Sequence, residues 1–134
     1  MSGKLQAKCL KAQEILSEYE GSFIERISSS AVGDRSTFDI LLIRSGVFGE
    51  LTISLEGVRY LSVANSVSVD SAFFDRLTVV HLPASGSPWP EEAEGFVTRF
   101  ENLPELVWVR LVGPVEIDVV GSMLTVSSAV DLNS

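Results

Sequence analysis

The first 21 residues place their apolar side chains at the spacing of an α-helix. These side chains recur every three or four residues and share one face of the helix: Leu5, Cys9, Ala12, Leu16 and Tyr19. The charged residues lie mostly elsewhere on the helical wheel: Lys4, Lys8, Lys11, Glu14 and Glu18. Ser2 can cap the start, and Gly21 can end the helix in a left-handed turn. The pattern predicts an N-terminal amphipathic helix within 1–21.

After the helix, the apolar spacing changes to alternation. Residues 23–29 favour a strand, although Phe23 and Ile27 also fit a continuation of the helical stripe. The polar residues 28–37 predict a connection that turns at Gly33-Asp34.

Strand-like patterns continue through the middle of the chain. Residues 38–43 are apolar enough for a central strand. Residues 51–55 alternate, and Glu56-Gly57 predicts a tight hairpin turn into a strand over 58–63. A further strand over 74–82 has two faces, one with Leu77, Val79 and His81 and the other with Thr78, Val80 and Leu82.

Three more strand-like runs stand almost back to back near the C-terminal end: 106–112, 115–120 and 123–127. Gly113-Pro114 separates the first two, and Gly121-Ser122 separates the second two. Because two-residue connections reverse the chain, this spacing predicts an antiparallel meander.

Residues 83–105, the Pro-rich loop, form the least regular segment. It contains four of the five prolines, which disfavour a strand interior because proline lacks the backbone N–H. Residues 91–94 predict one helical turn after Pro90. Phe96 and Phe100, four residues apart, are expected to hold the loop against the core.

The whole pattern predicts a mainly β (α+β) fold. It consists of an N-terminal amphipathic helix and about eight mostly antiparallel strands, which form a sandwich or a flattened barrel. With 134 residues, the chain suits a single domain over 1–134. The helix occupies 1–21, and the antiparallel β domain with its Pro-rich loop occupies 22–134.

The charge of the chain is acidic and unevenly distributed. The net charge is -8, and residues 88–134 contain eight acidic side chains and two basic ones, Arg99 and Arg110. Such a segment repels phosphate backbones, so nucleic-acid binding is disfavoured and a basic protein partner is favoured. The alternative is that the acidic surface only keeps an apolar-rich chain in solution.

The sequence predicts a cytoplasmic protein that does not enter a membrane. No apolar run reaches the length of a membrane helix, and the N-terminus has no apolar signal-peptide core. The single cysteine, Cys9, allows no disulfide within the chain, which fits a reducing compartment.

The residues that could carry chemistry are few, so the sequence favours a protein that is not an enzyme. His81 and Cys9 are the only imidazole and the only thiol, so we expect no metal site and no cofactor. Glu116 and Asp118 share a strand face but fit solvent exposure. Phosphate-binding glycine motifs and a Gly-x-Ser-x-Gly elbow are absent from the sequence.

The Pro-rich loop is the best candidate for a binding surface. Trp89 lies between two prolines, and three glutamates follow closely: Glu91, Glu92 and Glu94. A tryptophan on a stiff loop beside negative charge is typical of a protein-binding hot spot. In the alternative interpretation, Trp89 is a plug that closes the end of the sandwich.

Two further hypotheses remain open from the sequence. A barrel could bind a small ligand or substrate at an interior polar site formed by Arg59, Tyr60, His81, Arg110 and Glu116. Alternatively, a free strand edge or the helix stripe could form a homodimer.

One run also carries a family resemblance: Gly49-Glu50-Leu51-Thr52-Ile53-Ser54-Leu55-Glu56-Gly57-Val58-Arg59-Tyr60-Leu61. It resembles small bacterial proteins, some of which are grouped with toxin-immunity proteins. The resemblance covers one predicted hairpin. It implies an immunity-like protein and assigns no residue a role.

Overall fold

The computed structural model describes residues 2–32, 35–44, 49–64, 72–84, 88–99, 103–113 and 116–128. In these ranges the chain forms two helices and nine strands: α1 Ser2–Ser17, β1 Phe23–Val32, β2 Arg35–Arg44, β3 Gly49–Glu56, β4 Tyr60–Ala64, β5 Ala72–Phe73, β6 Arg76–Leu82, α2 Glu91–Glu94, β7 Leu106–Val112, β8 Glu116–Gly121 and β9 Met123–Ser128. The predicted mainly β fold with an N-terminal helix is therefore confirmed.

The strands form two sheets in which all neighbours pair antiparallel. The first sheet has the order β5-β1-β2-β3-β9, and the second has the order β4-β8-β7-β6. The strands of the described ranges do not close into a barrel. Side chains from both sheets share one apolar core, which fits the predicted sandwich.

Helix α1 covers most of the predicted N-terminal segment. Its apolar face points into the core, where Cys9, Ala12 and Leu16 are buried and Leu5 is half-buried. Tyr19, which the sequence places on the same helix, is buried in the turn after Ser17. The following turn reaches Gly21, whose φ of +88° lies in the left-handed region that glycine tolerates. Neither helix of the described residues has the length and apolarity to cross a membrane.

Helix α1 also covers the outer edge of β6. Gln13 Nε2 donates a hydrogen bond of 2.9 Å to the Leu77 carbonyl, and Gln13 Oε1 accepts one of 2.7 Å from the Val79 N–H. Glu20 Oε2 accepts a bond of 2.9 Å from the Leu77 N–H. These side chains satisfy backbone groups that an edge strand would otherwise offer to another strand.

Strands β1 and β2 form a longer hairpin than the sequence predicts. The strand interpretation of 23–29 is confirmed, and the helical alternative is wrong. The predicted polar connection over 28–37 is also wrong, because the two strands pair as far as Val32 and Arg35. Backbone hydrogen bonds hold this pairing and need no apolar side chains. The predicted turn at Gly33-Asp34 lies outside the described residues.

Two predicted reversals are instead corners between the sheets. The prediction of a hairpin at Glu56-Gly57 is wrong, because β3 belongs to the first sheet and β4 to the second. The reversal at Gly121-Ser122 is wrong as well, since β8 pairs with β7 in the second sheet and β9 pairs with β3 in the first. Only the β7–β8 part of the predicted meander is confirmed. Strands that pass from one sheet to the other in this way form the corners of a sandwich.

The two corners lie against each other. The Ser122 N–H donates a hydrogen bond of 2.9 Å to the Glu56 carbonyl. Gly57 has a φ of +65°, and a side chain there would collide with Ser122 Oγ. A Cβ on Gly121 would lie 3.0 Å from the Glu56 carbonyl oxygen. Glycine at both positions therefore permits the close approach of the two backbones.

The second sheet carries apolar side chains on both faces. Its inner face meets the first sheet and α1 in the inner core, which includes Phe38, Ile53 and Val109. Its outer face and the Pro-rich loop form the outer cluster: Leu82, Trp89, Ala93, Leu103, Leu106, Trp108 and Val120. Because β7 contributes to both, its sequence is apolar at nearly every position.

Candidate functional site

Trp89 is a buried anchor of the Pro-rich loop. It is only 6% exposed and packs in the outer cluster. Its Nε1 donates a hydrogen bond of 2.7 Å to the Pro83 carbonyl, and the guanidinium carbon of Arg99 lies 4.3 Å from the ring centroid. The ring therefore packs on the outer face of the second sheet, and little of it is left to meet a partner directly.

Helix α2 presents the three glutamates that follow Trp89. Ala93 is fully buried in the outer cluster, whereas Glu91, Glu92 and Glu94 are exposed. A hydrogen bond of 3.0 Å from the Ala93 N–H to the Pro90 carbonyl stabilises the start of this helix. We call Glu91, Glu92 and Glu94 the acidic turn. Their role in binding stays a prediction, but their position on a fixed helical turn is a feature of the fold.

A polar network joins the acidic turn to the strands beneath it. Arg110 Nη1 donates a hydrogen bond of 3.3 Å to Glu92 Oε2, and Arg110 Nε lies 3.7 Å from Asp118 Oδ1. Trp108 Nε1 donates a bond of 2.9 Å to the same Asp118 oxygen. The side chains of Arg110 and Asp118 are 28% and 15% exposed, so their attraction is partly shielded from solvent screening. The network adds a second attachment of α2 to the sheet.

The five residues of the alternative interior site do not come together. Tyr60, Arg110 and Glu116 belong to the outer face of the second sheet. His81 lies on the opposite face, beside α1, and Arg59 is exposed at the corner between the sheets. Because the backbone of a sheet separates its two faces, these side chains do not converge on one ligand.

The only imidazole and the only thiol of the chain line one cavity beside α1. Its volume is about 490 Å³, and it contains both Cys9 and His81. His81 Nε2 lies 2.6 Å from Glu105 Oε1. Burial, and then the negative charge of Glu105, raise the pKa of Cys9 to about 11. The thiol is therefore protonated at neutral pH, whereas a nucleophilic cysteine needs a lowered pKa.

A groove beside the N-terminal half of α1 is absent from the sequence-based hypotheses. Its volume is about 570 Å³, and one wall comes from distant parts of the chain: Pro104, Glu105, Ser122 and Met123. The helix contributes Leu5, Ala7 and all three lysines of the chain: Lys4, Lys8 and Lys11. We call this feature the lysine groove. The spacing of the lysines places them on one side of the helix, which is the only signal in the sequence.

Comparison with known proteins adds no further assignment. No protein-family model matches the chain, and no curated protein matches its sequence. In the part of the chain that the structure describes, no three His, Cys, Asp or Glu side chains are grouped so that they could hold a metal ion.

Proposed function

We propose that the chain is a non-enzymatic domain that binds a basic protein on the acidic turn. The observation that carries this proposal is that α2, the helix that presents the three carboxylates, is held on the outer face of the second sheet. Trp89 and Ala93 hold α2 in the outer cluster, and Arg110 holds Glu92. A helix that is already held in place loses less backbone entropy on binding, which favours association.

The charges around the acidic turn support a basic partner. Glu116 and Asp118 add two carboxylates on the same outer face of the second sheet. Arg110 bonds to Glu92, and Arg99 stacks on Trp89, so both cations make contacts within the fold. A surface of this sign attracts a positively charged protein and raises its association rate. An immunity-like protein that neutralises a basic toxin in the cytoplasm is one form of this proposal.

Affinity capture tests the proposal with two variants that change charge equally. Glu91→Gln/Glu94→Gln removes two charges from the acidic turn and keeps the Glu92–Arg110 bond. Glu14→Gln/Glu25→Gln removes two exposed charges on α1 and β1. Mass spectrometry should identify a basic protein that the wild-type chain and the control retain and that the acidic-turn variant loses. Equal retention by all three proteins would exclude the acidic turn as the binding surface.

A second candidate function is a homo-oligomer formed through β4. In the described ranges β4 pairs only with β8, at the edge of the second sheet. Leu61 and Val63 on this strand are 40% and 37% exposed. An apolar edge strand can pair with the same edge of a second copy. Light scattering should then show a dimer that Leu61→Lys converts to a monomer, whereas a wild-type monomer at every concentration excludes this candidate.

A further inference from the structure

The lysines of this chain are confined to a single place. Lys4, Lys8 and Lys11 all line the lysine groove, and every other basic side chain apart from the single histidine is an arginine. In a chain with a net charge of -8, this concentration makes the groove a local region of positive charge. Ammonium groups are compact charges on flexible stems, so they can converge on an anion of variable shape.

The groove contains one opposing charge, and that charge is already engaged. Glu105 lines the groove, but its Oε1 lies 2.6 Å from His81 Nε2. The Glu105 side chain is 23% exposed. Three lysines and one half-buried carboxylate therefore line the groove, which leaves an excess of positive charge to attract an anion.

Apart from Ser122, the remaining lining is apolar. Leu5 is half-buried, Pro104 is exposed, and Met123 is 50% exposed. Methionine is unbranched and polarisable, so it adapts to the shape of an apolar ligand. An inorganic anion would leave this surface in water. A ligand that uses the whole groove therefore needs an anionic head and an apolar tail.

We propose that the lysine groove binds an aliphatic carboxylate of medium chain length. The carboxylate lies among the ammonium groups, and the hydrocarbon tail packs on Leu5, Pro104 and Met123. The volume of about 570 Å³ is typical of small-molecule sites. A nucleic acid or an anionic bilayer extends well beyond the groove and would meet the acidic remainder of the chain, whereas a short carboxylate meets only the groove. This site shares no residue with the acidic turn and is independent of the proposed function.

Isothermal titration calorimetry with octanoate, decanoate and dodecanoate tests both parts of the ligand. Each added methylene should tighten binding roughly two- to fourfold until the groove is filled. Decanol and decyltrimethylammonium should bind at least roughly tenfold more weakly than decanoate, because they lack the negative charge. Equal binding of the cationic amphiphile and decanoate would overturn the assignment.

Two variants separate the charged and apolar contributions. Lys4→Gln/Lys8→Gln should weaken decanoate binding about tenfold, and Met123→Gln should reduce the dependence on chain length. Arg26→Gln/Arg59→Gln is the matched control, since both arginines are exposed and line no part of the groove. Circular dichroism of each variant should match that of the wild-type protein.

Three further results would overturn the proposal. The first is no measurable heat from the wild-type protein at about 1 mM decanoate. The second is the same affinity for the double lysine variant and the wild-type protein. The third is binding to phosphatidylglycerol vesicles without binding to any soluble carboxylate, which would assign the groove to a membrane surface.

Discussion

Replacement of Trp89 by alanine is expected to lower the free energy of unfolding by about 3–5 kcal/mol. The side chain is 6% exposed, so its loss leaves a cavity in the outer cluster. The variant also loses the hydrogen bond to the Pro83 carbonyl, worth about 1 kcal/mol, and the stacking of Arg99, worth about 0.5–1 kcal/mol. Since small domains are stable by about 5–15 kcal/mol, this change removes a large fraction of the total.

Urea denaturation followed by circular dichroism measures this loss, and two further variants assign its cause. Trp89→Phe keeps most of the apolar ring but lacks the N–H, so we expect a loss of about 1–2 kcal/mol. Glu91→Gln/Glu94→Gln changes exposed groups and should stay within about 0.5 kcal/mol of the wild-type protein. A loss below about 1 kcal/mol for Trp89→Ala would refute the reasoning, because α2 would then not be anchored through the outer cluster.

Two substitutions and one labelling experiment test other parts of the fold. Gln13→Ala should lower the free energy of unfolding by about 1–3 kcal/mol in urea denaturation, because two backbone groups of β6 lose their partner. An unchanged free energy of unfolding would contradict the role of Gln13 at the edge of β6. Gly57→Ala should lower it by about 1–3 kcal/mol, since its φ is +65° and Ser122 occupies the space; a stabilised variant would contradict the corner geometry. Folded Cys9 should react with iodoacetamide on the order of 100-fold more slowly than the urea-unfolded chain at pH 8, and equal rates would contradict the raised pKa. Because that pKa rises from 9.0 to about 11, the stability that the protonated thiol contributes is present below pH 9 and lost as the pH rises toward 11.

The helix and most strands could be predicted because their signals are local. The buried face of α1 repeats every three or four residues, and Gly21 marks the following turn with a positive φ. The two faces of β6 also follow the predicted alternation, with Leu77 in the inner core and Leu82 in the outer cluster. Local spacing is sufficient where an element has one apolar side, or two distinct ones, to bury.

The corners could not be predicted from the same signals. Gly57 and Gly121 fit a hairpin turn as well as a corner, because both require a conformation or an approach that a side chain would obstruct. The choice between them depends on pairing with strands far away in the sequence. Leu124, for example, pairs with Leu55 rather than with a residue of β8. The paired polar ends of β1 and β2 could not be predicted for a related reason, since polar strand pairing leaves no apolar period.

The candidate surfaces could also be predicted only in part from the sequence. The position of the acidic turn after Pro90 could be predicted, but the burial of Trp89 depends on contacts with β7 and β8 in the outer cluster. The lysine spacing was visible in the sequence as well. The groove itself could not be predicted, because Pro104 and Met123 reach α1 only in the folded chain.

The association rate of the captured basic protein tests the acidic turn most directly. Biolayer interferometry compares the wild-type chain, Glu91→Gln/Glu94→Gln and the Glu14→Gln/Glu25→Gln control at about 50 mM and about 500 mM NaCl. At low salt, the acidic-turn variant should associate at least about fivefold more slowly than the other two proteins, and high salt should reduce that difference. Equal association rates for all three proteins at low salt would contradict the proposed binding surface.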